Sequence, residues 1–165
     1  MCRGWVPPPA GAIPLLCSHL KMDGDMVMKH YTMLHCEIAV DQEKTKLWYA
    51  QAGNWGCECR YCLNFLEVVK QGKLPGKVLN HLSVFGIPPA KATYVCCLNS
   101  DPEKPLYQFS YRIAGSILKD NAPTTAEDVR FCHETYPFGA PDFPEPHFDI
   151  EFYAELAWVI DETAQ

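Results

Sequence analysis

The last stretch of the chain limits the possible folds more than any other. Phe148, Ile150, Phe152, Ala154, Leu156, Trp158 and Ile160 alternate with Asp149, Glu151, Tyr153 and Glu155. Successive side chains of a strand point to opposite faces, so this period of two predicts a strand with one dry and one wet face. A strand covered on both faces by crossover helices would be apolar at nearly every position. The alternation therefore argues against a doubly wound parallel sheet. It predicts a two-layer α+β fold, a mainly antiparallel sheet with a helical pair packed on one face. Asp149, Glu151 and Glu155 are expected in water, where their stripe of charge would suit docking of a basic protein partner.

The rest of the chain supplies the partners for that strand. Thr32, Leu34, Cys36, Ile38 and Val40 alternate with Met33, His35, Glu37 and Ala39, which predicts another half-buried strand. Residues 41–44 read as a polar turn and 47–50 as a short second strand. Cys62, Phe65, Leu66 and Val69 share one face of a helix that ends at Lys70 and Gly72. Pro75 opens a second helix, with Leu74, Val78, Leu82 and Phe85 on one side and Gly86 and Pro88-Pro89 as its stop. Strands are predicted over 92–98 and 107–118, separated by a turn at 99–102. Residues 119–146 read as irregular, with a short helix starting at Thr125.

At 165 residues the chain has room for one well-buried domain, and its 48% hydrophobic and 21% charged content is that of an ordinary globular protein. The proline-broken lead-in, with Pro7-Pro8-Pro9, predicts a flexible segment over residues 1–28 and a single α+β domain over 29–165. Met22, Met26 and Met28 stand just before the first regular pattern, and translation starting at any of them would trim that segment. A net charge of −6, with Lys and Arg scattered, argues against general affinity for nucleic acid or anionic membrane. Nine cysteines is an odd number and the run over 6–17 makes no signal-peptide core, so the expectation is a cytoplasmic protein with reduced thiols.

The one short constellation whose spacing carries chemistry is Cys57-Glu58-Cys59-Arg60-Tyr61-Cys62. Zinc takes thiolates and imidazoles, usually four in a tetrahedron, and C-x-x-C is a common half-site. Cys59 and Cys62 form such a half-site and Cys57 adds a third ligand. A fourth would come from His81, Cys36, Cys96, Cys97, His133 or His147. Cys96 and Cys97 adjoin on a predicted strand, so at most one of them joins easily. The alternative is a thiol-dependent redox protein using the Cys59-x-x-Cys62 pair, because a helix N-terminus favours a thiolate. The helix is followed by another helix instead of a βαβ unit, which removes the thioredoxin-like context. Cys62 also fits plain core packing beside Phe65.

The stretch Cys57-x-Cys59-x-x-Cys62-x-Asn64-Phe65, together with the closing Trp158-Val159-Ile160-Asp161-Glu162, resembles an uncharacterised family of small bacterial α+β proteins. The resemblance covers about residues 30–162 and implies a fold and a bacterial source, but no activity. No H-E-x-x-H pair and no phosphate-cradling glycine loop is present. His133 beside Cys132 hints at a nucleophile pair, although catalytic partners usually meet through the fold and not as chain neighbours. The sequence thus predicts a small binding or interaction module with a structural cysteine-rich turn, zinc-bound or not, in preference to an enzyme.

Overall fold

A computed structural model describes residues 27–53, 57–99, 101, 103–121, 128–133, 139–140 and 142–161. All but the last two residues of the predicted lead-in, and the predicted helix start at Thr125, lie outside these. In chain order the elements are β1 (Lys29–Met33), β2 (Cys36–Val40), α1 (Gln42–Gln51), α2 (Arg60–Lys70), α3 (Gly76–Phe85), β3 (Tyr94–Cys97), β4 (Leu106–Asp120), β5 (Val129–Cys132) and β6 (His147–Glu155). The strands form one antiparallel sheet in the order β1-β2-β4-β6-β5, with β3 also pairing to β4. The helices pack on one face, as the predicted class requires.

The central strand is β4. Along one edge, residues 106–114 pair with β6; along the other, Tyr107–Ser110 pair with β3 and Gly115–Asp120 with β2. Between β3 and β2 a helix fills the gap in the ladder. Tyr49 of α1 donates its hydroxyl to Arg112 O at 3.0 Å and accepts from Arg112 N at 2.9 Å. Thr45 Oγ1 accepts from Ala114 N at 3.0 Å, and Asp41 N donates to Ala114 O at 2.8 Å. Buried main-chain groups need partners, and here side chains supply what a strand would have given. At Gly115, where β2 takes over, φ is +144° and a Cβ would lie 2.1 Å from Ala39 O. Only glycine fits that approach.

The helix-facing side of the sheet is aromatic. Phe65 of α2 packs on Tyr107 and Phe109, Phe109 stacks on Phe152 with ring centroids 5.5 Å apart, and Phe85 of α3 meets Tyr31 and Phe131. Each such side chain contributes roughly 1.5–3 kcal/mol when fully buried.

Several expectations are corrected. Residues 47–50 are not a strand and 41–44 not a turn; both belong to α1, whose N-cap Asp41 accepts Lys44 N at 2.9 Å. Among the described residues α1 therefore joins the predicted pair α2 and α3. The alternating run over 32–40 is a hairpin instead of one strand, turned by Leu34 (φ 49°) and His35 (φ 60°). The stretch read as irregular contains β5. The closing strand stops at Glu155, and residues 156–160 continue outside any strand. Asp149 and Glu151, expected in water, are each only 1% exposed; of the three acids only Glu155 is exposed.

Candidate metal centre

The thiol corner follows from the way α2 begins. Cys59 is the N-cap, in extended conformation (φ −66°, ψ 148°), and Leu63 N closes the first turn onto its carbonyl at 3.0 Å. Cys62 stands three residues on, and the side chains of an N-cap and the third helical position meet across the helix mouth as in a capping box. Cys57 lies two residues before Cys59, so an extended backbone sends both side chains the same way. The sulfurs of Cys57, Cys59 and Cys62 all lie within 4.8 Å of one another. Cys62 is fully buried, while Cys57 and Cys59 are half-buried against the core. Tetrahedral zinc with Zn–S bonds of about 2.3 Å holds its sulfurs about 3.8 Å apart. The three thiols are thus geometrically able to coordinate one metal ion with small side-chain adjustments.

The rest of the motif is what holds this corner in place. Asn64 is fully buried and makes three bonds to two distant segments. Its Oδ1 accepts from Val159 N at 2.7 Å, and its Nδ2 donates to Ala157 O at 3.1 Å and to Tyr107 Oη at 3.2 Å. Tyr107 in turn donates to Tyr61 O at 3.0 Å. Trp158 packs edge-on against Tyr61, and the Arg60 guanidinium sits 4.9 Å from its ring centre. The two parts of the quoted motif, far apart in sequence, are therefore one structural unit. Asn64 and Tyr107 were missed as positioning residues. Asn64 stands in the quoted motif but off the predicted Cys62, Phe65, Leu66 and Val69 stripe, so its positioning role was not legible.

The proposed fourth ligands fare differently. Cys97 is on the helix-facing side of β3, paired across to Tyr107, whereas Cys96 pairs with Gln108 on the opposite face. Cys36 donates to Asp120 Oδ1 at 3.5 Å. His81 Nδ1 is 2.7 Å from Lys77 O, His147 Nδ1 is 3.4 Å from a Glu145 carboxylate oxygen, and His133 Nε2 is 4.0 Å from Asp120. Among the described residues no second group of three such ligands converges. The Cys132–His133 nucleophile idea gains no support: Cys132 Sγ lies 3.8 Å from Glu151 Oε1, and His133 Nε2 lies 4.0 Å from Asp120 Oδ2. Burial and the Glu151 carboxylate push the Cys132 thiol up to about 11, the reverse of an activated nucleophile.

Asp149 and Glu151, two of the three acids expected in solvent, belong to a second polar cluster, on the sheet face away from the helices. Arg112, 3% exposed, donates from Nε to Asp149 at 3.0 Å and from a terminal nitrogen to Ala140 O at 3.0 Å. Glu151 accepts from Arg130 Nε at 2.7 Å, Gln108 Nε2 at 2.7 Å and Tyr153 Oη at 2.8 Å. Two of the three acids of the predicted docking stripe therefore belong to a buried, cation-matched network and are not available to a partner, while Glu155 is exposed.

A cleft of about 560 Å³ opens where α3 starts, floored by Val78, Leu106, Phe152 and Ala154 and rimmed by Lys77, Asp128 and Glu155. No helix among the described residues is long and apolar enough to cross a membrane. Fold and site together define a two-layer α+β protein with a C-x-C-x-x-C corner able to hold a metal. No protein-family model, curated protein or solved structure matches the chain.

Proposed function

We propose that this protein is a small binding module built around a structural metal centre, with Cys57, Cys59 and Cys62 holding a zinc ion. The observation that supports this is the convergence of three sulfurs within 4.8 Å at the mouth of one helix. An all-sulfur donor set suits zinc or another soft ion and does not suit magnesium or calcium, which take oxygen. The site is also electrostatically suited to a thiolate cluster, since the positive end of the α2 dipole faces it and Arg60 stands at the first helical position. A bound ion would tie the segment before α2 to the helix and keep Asn64 in register with residues 157–159. The module reading is supported by a cleft whose size falls within the small-molecule range of about 300–1,000 Å³.

Thiol counting tests the reading. In native protein carrying zinc, Cys57, Cys59 and Cys62 should react slowly with a thiol reagent and quickly once a chelator is added. Fast reaction of Cys59 without chelator, with Cys62 then closing a disulfide, would replace the metal centre with the redox pair. Slow thiols released by denaturant alone would leave only packing.

A further inference from the structure

Three thiolates leave a tetrahedral ion one position short, and the structure offers a donor on the neighbouring strand. We propose that Cys97 is the fourth ligand, closing the corner into a four-thiolate site for zinc that clamps the edge strand β3 to the mouth of α2. The assignment rests on the metal reading above and adds to it a specific residue and a closed, structural coordination sphere.

The placement of Cys97 follows from the register. It faces Tyr107 across the β3–β4 pair on the helix side of the sheet, and cross-strand partners hold their Cβ atoms about 4.5–5.5 Å apart. The Tyr107 ring runs from that pair to α2, where its hydroxyl meets Tyr61 O and Asn64, both between or next to the corner's cysteines in sequence. Helix α2 packs directly on β3. Cys57, Cys59 and Cys97 are all half-buried against the same core, and one tyrosine, Tyr107, links the Cys97 pair to the helix mouth.

Cys97 Sγ lies outside the three-sulfur triangle, 2.6 Å from Asn99 O. Joining the site means leaving that carbonyl, a weak thiol interaction, for a metal–thiolate bond. Each thiol that joins releases a proton to solvent, and zinc with four thiolates carries a net double negative charge next to the α2 dipole and Arg60. Cys96, the next residue, points to the other face and serves as a built-in control.

The test uses the full chain, stripped of metal and titrated with zinc and, separately, with cobalt(II). Cys97→Ser should weaken zinc binding by at least the roughly 10–100-fold that loss of an outer-sphere partner costs. It should also reduce the thiolate-to-cobalt absorption in step with one lost sulfur. Cys96→Ser should change neither. Alkylation of unmutated protein, mapped by mass spectrometry, gives the same answer without relying on a variant that folds. Zinc should protect Cys97 together with Cys57, Cys59 and Cys62, and chelator should expose all four. If Cys97 alkylates at one rate with and without zinc while the other three are protected, the fourth-ligand assignment is overturned and the three-thiol centre stands. If the native chain binds neither zinc nor cobalt, both fall.

Discussion

Two polar clusters lie on opposite faces of one sheet, and the difference between them shows which one points to a ligand. On the far face every kind of charge meets its complement inside the chain: Arg112 meets Asp149, and Arg130 with Gln108 and Tyr153 meets Glu151. At the mouth of α2 three donors of one kind converge instead, and sulfurs gathered so closely gain most from a shared cation. The two carboxylates, Asp149 and Glu151, are more deeply buried than Cys57 and Cys59, yet their countercharges lie within the chain. A polar cluster suggests a ligand when its donors are alike and converge on one point, not merely because it is charged.

The largest expected effect breaks the first cluster. Arg112→Met would leave Asp149 buried without its guanidinium and should cost about 3–5 kcal/mol in urea unfolding, whereas Arg112→Met/Asp149→Leu should recover most of that loss. If the single and double variants are equally destabilised, the matched-charge account of the far face is wrong. A smaller effect is expected from Asn64→Ala. It removes the bonds to Val159, Ala157 and Tyr107 and should cost roughly 1–3 kcal/mol. The Val159 amide should then exchange with solvent much faster than in the parent chain; unchanged exchange would mean the closing segment is held by something other than Asn64.

The smallest effect concerns pH. Because burial and Glu151 push the Cys132 thiol from its ordinary value near 9 up to about 11, the folded chain holds that proton more tightly than the unfolded chain. Its contribution to stability is therefore complete below about pH 9 and is lost as pH rises towards about 11. Tyr153, pushed up to about 12 chiefly by burial and next by its bond to Glu151, extends the loss at higher pH. Cys132→Ala, compared by urea midpoint in chelator at about pH 8.5 and 10.5, should flatten part of the slope. An identical slope in the variant would show that the thiol does not titrate in this window.

The same contrast explains how far the sequence could be read. The helical stripe through Cys62 and Phe65 and the closing alternation around Phe152 were legible because one apolar face against a core leaves a simple period, although α2 buries Val68 where the stripe pointed to Leu66 and Val69. The alternation at Asp149 and Glu151 was legible as two faces but not as two environments. Period-two charge marks a change of partner, and arginines distant in sequence supplied one that is not solvent. Asp41 carried a helix-start signal that its polar neighbours disguised as a turn. The turn at Leu34 and His35 has no glycine or asparagine to announce it. The C-x-C-x-x-C spacing pointed to three cysteines whose sulfurs do converge, but the placement of Cys97 on the helix-facing side depends on β3–β4 register, which no local pattern encodes.

The central claim is that the thiol corner holds a metal, and metal content per chain tests it most directly. Full-length protein loaded with zinc, freed of excess metal by gel filtration and analysed for zinc against protein should retain one equivalent. The variant with Cys57, Cys59 and Cys62 all changed to Ser, with its fold checked by circular dichroism, should retain none. Zinc absent from the parent chain, or retained equally by the variant, would contradict the account.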